Sequence, residues 1–330
     1  MKGLILRGVD FGPVFTSSGT RNFFGEGYRQ HKLYRFIPGW DIKRPTMITK
    51  TFTRYRRMPK ETEKGGDQGN MVIDEVTWQP VDLLPDCIKV NFLTGDALNA
   101  VGLVNPGIEA GLATNRLQMI NKPFVLSFMP LGKDREARLL ETREFAAILK
   151  EELPYFLAPV ALEVNESCPN TKHDPAVFTA EAVDHLKETS ILGIPQGIKI
   201  NVLTSVEMVE RVVDSGLCDF LDLPNTISFG QRPDKISWEY KFGSTTSPLA
   251  KYGGGGCSCE ENFELAARLV DDIRSAGVVL PIILGGVFSK DDVRLAKTVG
   301  ADAVAYARAS MVRPWRLKGI NNEAYRLFGR

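Results

Sequence analysis

Eight short apolar or β-branched runs recur along this chain, most of them followed by a helix-like segment, and that rhythm limits the fold more than any other feature. The runs are 13–18, 46–50, 123–128, 159–165, 196–201, 218–223, 281–284 and 302–307. Eight strand–helix units in 330 residues suggest an α/β protein, a (β/α)8 TIM barrel in which 1–330 form a single domain. A doubly wound sheet is the alternative, but the GxGxxG turn after a first strand is absent.

The helices carry their own signals. Leu139, Thr142, Ala146, Leu149 and Leu153 keep one face of 134–153 mostly apolar, and Phe263, Ala266, Ala267, Val270 and Ile273 do the same for 260–276. Thr204 with Glu207 and Ser258 with Glu261 read as capping boxes, and Gly216 and Gly277 sit where C-terminal caps belong. Two connections are long for loops, at about 51–105 and 224–258. The first contains a polar, glycine-rich patch, PKETEKGGDQGN, expected to be mobile; the second carries Trp238, Tyr240 and Phe242 in a hairpin-like stretch. Both follow strand C-termini, the side on which a barrel places its substrate loops.

Composition excludes several classes. A formal charge of +1 gives no reason to expect nucleic acid or an acidic membrane surface as partner. No apolar run approaches membrane-spanning length, and MKGLILRGVDFGP has too short an apolar core for a secretory signal. Five unevenly spaced cysteines argue for a reducing cytoplasm and against a disulfide framework.

A barrel's active site lies at the C-terminal strand ends, and here those ends carry chemistry. The first gives Ser17-Ser18-Gly19-Thr20, small residues that let a planar ligand approach the backbone; the second gives Lys50 and Thr51. The fourth breaks from PVALEV into NESCPN, placing Asn165 and Cys168 at its exit, with Pro169 stopping the strand. The fifth holds Lys199, the sixth leads to Asn225 and Thr226, the seventh to Gly285 and Gly286, and the eighth to Ala307 and Arg308. Glycines after strand seven and an arginine after strand eight suit a phosphate, with the 253–256 glycine run as a further wall. Lysines at strand ends could stabilise negative charge on a flavin's pyrimidine edge; the competing reading of either is a solvated lysine or one bridging barrel carboxylates. Taken alone, NESCPN also fits a turn with a buried cysteine.

Together these residues resemble the flavin-dependent dihydroorotate dehydrogenase family over most of the chain. PVFTSSGTRNFFGEGY is similar to that family's first strand and flavin loop, and MITKTFT to its second strand with the active-site lysine. ALNAVGLVNPG resembles the substrate-loop segment, VNESCPN the base-bearing loop and GIKI the second flavin lysine; LPNTISFG, the GGGG run, ILGGV and AYARAS follow in the family's order. The resemblance implies FMN as cofactor and Cys168 as general base, removing a proton from C5 of dihydroorotate while C6 gives hydride to flavin N5. Lys50, Asn99, Asn165, Asn170, Asn225 and Thr226 would hold the substrate. Ser18, Gly19, Lys50, Thr51, Asn165 and Lys199 would line the flavin, and Gly255, Gly285, Gly286, Ala307 and Arg308 its phosphate end. No metal is implied. A cysteine base implies the soluble class, a homodimer, and either fumarate or NAD through an iron–sulfur flavoprotein partner as acceptor; the front of the chain looks closer to the partner-dependent kind.

Four features depart from the family pattern. Glu166 stands where an apolar residue usually follows the asparagine, the loop after Asn170 is short, 51–105 is expanded, and Arg308 replaces a small hydroxyl residue. Two other functions compete: a related flavin enzyme for another dihydropyrimidine, and a non-catalytic flavin-binding barrel. A metal or redox role for Cys257 and Cys259 is a weak signal, Cys87 and Cys218 read as packing residues, His173 as a loop residue, and His31 and His185 give no chemical signal.

Overall fold

The computed structural model describes residues 3–59, 69–167 and 175–329, with the backbone alone for 175–179. Parallel strands β1 (Val14–Thr16), β2 (Thr46–Met47), β3 (Phe124–Phe128), β4 (Val160–Asn165), β5 (Gln196–Lys199), β6 (Phe220–Leu223), β7 (Ile282–Leu284) and β8 (Ala303–Tyr306) pair in the order 2-1-8-7-6-5-4-3. Parallel bridges Ile48–Val125 and Phe52–Phe128 join the two ends of this sheet, closing a (β/α)8 barrel. Each of the eight expected runs contains one of these strands.

Period-two alternation sorts every strand into an outward and an inward set. Outward residues such as Leu126, Leu162, Val164, Ile198, Leu221 and Leu284 belong to the main core under the helices. Inward residues form layers. Phe15, Ile48, Val125, Ala161, Phe220, Ile283 and Ala303 fill the lower barrel. A two-strand hairpin, Ile5–Leu6 with Val9–Asp10, places Leu4, Leu6 and Phe11 against that layer from the N-terminal end. Gly197 is the inward residue of β5 at this level, where a Cβ would meet the Phe220 carbonyl and would lie 2.7 Å from its ring carbons. Gly197→Ala is therefore expected to cost about 1–3 kcal/mol in urea unfolding, since the layer has no slack to take a methyl group. An unchanged midpoint would mean that the strand backbone shifts to clear the Phe220 carbonyl as well as its ring.

The six longest helices among the described residues are α1 (Arg135–Glu152), α2 (Pro175–Thr189), α3 (Val206–Asp214), α4 (Glu260–Ser275), α5 (Lys290–Thr298) and α6 (Leu317–Phe328). The face of α4 is as expected, with Phe263, Ala266, Ala267, Val270 and Ile273 all buried. That of α1 is rotated: Thr142, Ala146 and Leu149 are buried, Leu139 and Leu153 lie half-buried at its edge, and Phe145 and Arg138 complete it. Phe145 wins because its ring stacks on Phe128 of β3 at 3.8 Å. Both expected capping boxes are corrected. The N-cap of α3 is Ser205, whose side chain accepts from Met208 N–H, and that of α4 is Cys259, with no side-chain cap bond. A true capping box lies at Ser289 and Asp292, opening α5. Gly216 and Gly277 do follow helix ends, with φ of +67° and +85°.

The long connections build a second sheet over the C-terminal face, with Ile88–Asn91, Asp96–Asn99, Gly256–Ser258 and Ile227–Ser228 pairing antiparallel. Trp238, Tyr240 and Phe242 are not in a hairpin but on a short helix, Trp238–Phe242, where Trp238 and Phe242 pack beside Phe229. Most of the patch expected to be mobile, 60–68, lies outside the described residues. Among the described residues no helix is long and apolar enough to cross a membrane.

Candidate active site

Above the apolar layers the inward positions turn polar, and the strand ends are joined by a chain of hydroxyls and amides. Ser18, just past β1, donates to the Thr49 carbonyl at 2.9 Å and lies 3.0 Å from the Thr51 hydroxyl. Thr51 is 2.9 Å from Ser127 of β3, whose hydroxyl donates to Glu163 Oε1 of β4 at 2.7 Å. Asn165 Nδ2 donates to Thr51 at 3.3 Å, and Asn225 Nδ2 donates to Asn165 Oδ1 at 2.7 Å and to Ser167 Oγ at 3.3 Å. The Asn225 side chain then accepts from Thr226 N–H at 3.0 Å. Sequence-expected Ser18, Thr51, Asn165, Asn225 and Thr226 are thus brought into one network. Buried amides held in this way cannot rotate freely, so their remaining donors and acceptors point in fixed directions.

Lys199 is the inward residue of β5 and bridges two barrel carboxylates, the competing reading of such a lysine. Its Nζ lies 2.8 Å from Asp222 Oδ2 of β6 and 3.7 Å from Glu163 Oε2. Two carboxyl groups share one ammonium in a site closed to water. Burial pushes the Glu163 carboxyl well up from its ordinary value; the Lys199 charge opposes this and Asp222 reinforces it. The trio is neutral when Glu163 keeps its proton.

Lys50 is placed differently. It is 8% exposed, and its Nζ donates to the Val104 carbonyl and lies 4.7 Å from the centre of the Phe23 ring. Among the described residues no carboxylate lies within 4 Å of that ammonium. Burial pulls its pKa down to about 7. Gly19, with φ of +82°, sits alongside, 3.8 Å from Lys50 Cγ as measured from an ideal Cβ.

Asn99 comes from the second sheet, donating to the Gly256 carbonyl at 3.3 Å. Gly255 has φ of +84°, and a Cβ there would lie 2.8 Å from the Asn99 carbonyl oxygen, so this approach needs glycine. Gly285 follows β7 and donates to the Leu223 carbonyl at 2.6 Å; Gly286 takes φ of +87°. Arg308, after Ala307 at the end of β8, is 3% exposed, with its guanidinium 4.2 Å above the Phe288 ring and 3.7 Å from Asp96 Oδ1. Its Nε has no hydrogen-bond partner among the described residues. Asp96 is shared with Lys241 at 2.9 Å, which also meets Glu261 at 2.8 Å.

Cys168, Asn170 and His173 lie outside the described residues. Cys257 and Cys259 are buried and free, and no group of metal-ligating side chains occurs among the described residues. Cys87 and Cys218 are buried packing residues, with Cys218 Sγ donating to the Phe220 carbonyl. Sequence reading passed over Ser127, Glu163 and Asp222. Their signal was parity: each is a polar residue on the inward register of an otherwise apolar strand. It also found nothing in His31, whose pKa is pulled down to about 4 by burial, or in His185, which pairs with Glu166.

The family model for dihydroorotate dehydrogenase matches residues 33–326. The chain is 28% identical over 284 residues to dihydroorotate dehydrogenase A (fumarate) of Lactobacillus delbrueckii subsp. bulgaricus, covering 83% of this chain and 86% of that one. It is 27% identical over 287 residues to the catalytic subunit of dihydroorotate dehydrogenase B (NAD(+)) of Listeria welshimeri, covering 84% and 88%. Among solved structures, the Amycolatopsis orientalis BexX/CysO complex overlaps with a TM-score of 0.38 at 12% identity, covering 88% of this chain and 94% of that one, too loose a likeness to bear on function.

Proposed function

Because the chain belongs to the dihydroorotate dehydrogenase family, a family of flavin-dependent oxidoreductases acting on a CH–CH bond, we propose that it oxidises (S)-dihydroorotate to orotate with FMN, in cytoplasmic pyrimidine biosynthesis. The observation that supports this most is Lys50. A buried ammonium that meets a carbonyl and a ring but no carboxylate among the described residues is costly, and an anion at the barrel mouth offsets that cost. Dihydroorotate brings a carboxylate and a ring of amide edges. Lys50, Asn99, Asn165, Asn170, Asn225 and Thr226 supply the matching charge, donors and acceptors.

The residues present also suit a flavin. Ser18, Gly19, Lys50, Thr51, Asn165 and Lys199 would line it, and Gly255, Gly285, Gly286, Ala307 and Arg308 would hold its phosphate end. Arg308 has a buried Nε there with no hydrogen-bond partner among the described residues, although Asp96 takes part of its charge. FMN, when bound, supplies the acceptor for the C6 hydride. Cys168 takes the C5 proton, and Lys50 holds the substrate's negative charge. The acceptor that reoxidises the enzyme is fumarate or NAD through an iron–sulfur flavoprotein subunit, with a homodimer as the working form. The catalytic-subunit name of the Listeria relative supports the partner-dependent arrangement. Formation of orotate from dihydroorotate by FMN-loaded protein tests the reading; no orotate with any of these acceptors would overturn it.

Lys50 gives a pH signature. Its ammonium, not its amine, attracts an anion, and its pKa without ligand is about 7. Orotate affinity is therefore expected to fall as pH rises through that value, approaching tenfold per pH unit above it. Titration of flavin absorbance with orotate measures this. In Lys50→Met the affinity should be weak and flat with pH; a flat profile in the parent chain would remove Lys50 from ligand binding.

A further inference from the structure

The exit of β4 carries a second set of buried charges, facing away from the barrel mouth. Glu166, the residue after Asn165, is fully buried, with Oε1 2.9 Å from His185 Nδ1 on α2. His185 Nε2 lies 3.9 Å from Glu181 Oε2, one turn earlier on the same helix. Glu181 in turn accepts both arms of Arg138 from α1, at 2.8 and 2.6 Å. Two carboxylates and one guanidinium leave a buried net negative charge unless the imidazole is protonated; with imidazolium the four groups balance. Glu166 Oε2 has no hydrogen-bond partner among the described residues, so among them the bond to His185 is the carboxylate's one hydrogen bond, with the Arg138 charge acting from further off.

The same stretch of backbone serves the mouth. Glu166 N–H donates to the Lys199 carbonyl at 3.1 Å, Ser167 Oγ donates to that carbonyl at 3.1 Å, and Asn225 donates to Ser167. Asn165, bound to Thr51 and Asn225, directly precedes this anchor. A shift of Glu166 toward or away from α2 therefore moves the amide that faces the ligand.

We propose that Glu166 and His185 are positioning residues: as a carboxylate–imidazolium pair closed by Glu181 and Arg138, they fix the β4 exit so that Asn165 presents its amide to the ligand, and they hold it less tightly once His185 loses its proton. The charged groups facing His185 are Glu166 from the β4 exit, Glu181 from α2 and Arg138 from α1. Burial pulls the imidazole pKa down, but the Glu166 charge and hydrogen bond, with help from Glu181 and against Arg138, raise it above its ordinary value. A raised histidine pKa means that the stabilisation is fully present below the unfolded value of about 6.5 and is lost as pH rises through the folded value. The pair itself rests on geometry alone; only its effect on turnover rests on the dihydroorotate reading.

The chain has three histidines, so imidazole nitrogen NMR can follow each one, with His185→Gln identifying the signal. His185 is expected to stay imidazolium above pH 6.5, and Glu166→Gln to lower its midpoint by about one pH unit, a tenfold change in proton affinity. The alkaline limb of kcat, measured at saturating dihydroorotate so that Lys50 is already engaged, should move down by the same amount in Glu166→Gln. A merely structural pair would lower the melting temperature and leave that limb in place, which would overturn the positioning role. A His185 that is neutral at pH 6.5, or whose midpoint is unchanged by Glu166→Gln, would overturn the ion pair itself. If the protein turned over no dihydroorotate, the titration would still decide the pair while the functional reading failed. If Glu166→Gln did not fold, the parent chain would still decide the pair by its own His185 midpoint, which Glu181→Gln should lower by less than about one pH unit; a parental midpoint below about 6.5 would overturn the pairing.

Discussion

Lys199→Met lowers the free energy of unfolding by about 3–5 kcal/mol at neutral pH, the loss expected when one partner is removed from a buried ion pair. The ammonium sits 2.8 Å from Asp222 and 3.7 Å from Glu163, both closed to solvent, so methionine leaves two carboxyl groups with no cation between them. The deficit should shrink as pH falls and Glu163 takes up a proton, because that removes charge that methionine cannot balance. Burial already pushes that carboxyl up from its ordinary value. Adding Asp222→Leu should recover much of the loss, since an apolar replacement of the whole pair is close to neutral. Urea unfolding of the single and double variants between neutral and acid pH measures all three effects. A loss under about 1 kcal/mol that ignores pH would mean that the trio is solvated and not a closed barrel layer.

The second large effect is chemical. Cys168→Ala is expected to retain the flavin and to slow its reduction by dihydroorotate about 10²–10⁴-fold, the range a positioned general base contributes. Stopped-flow measurement of the reductive half-reaction separates this from any effect on reoxidation. A serine replacement should fall between the two, because a hydroxyl can accept the same proton with a much less favourable pKa. Flavin reduction at the parental rate in the alanine variant would remove Cys168 from the mechanism.

Much of the barrel was legible in the sequence because a parallel barrel strand must be apolar on its outward face, where helices cover it. That requirement writes eight short runs into the chain, and each contains an observed strand. Helix faces were less legible. On α1 the burial of Arg138 follows from its pairing with Glu181 on the neighbouring helix, a tertiary fact that periodicity does not carry. Capping failed for a similar reason: Ser258 belongs to the strand Gly256–Ser258, so its side chain was not at a helix start at all.

Within the candidate site, the strand-exit residues were visible as abrupt polar ends to apolar runs. Ser127, Glu163 and Asp222 were hidden inside those runs, where a single polar residue reads as noise until the inward parity is applied. Glu166 was noticed only as a departure from the family pattern. Its partner His185 lies nineteen residues on, across a helix packing that no local signal predicts.

If this barrel mouth oxidises dihydroorotate with a bound flavin, the visible spectrum of that flavin reports it most directly. Purified protein, loaded with FMN and kept free of oxygen, is scanned in the visible range before and after dihydroorotate is added. A yellow protein that bleaches on addition is the predicted result, showing flavin and substrate class together. A yellow protein that ignores dihydroorotate yet bleaches with dithionite would contradict the substrate, and a protein that cannot be loaded with FMN would contradict the account at its base.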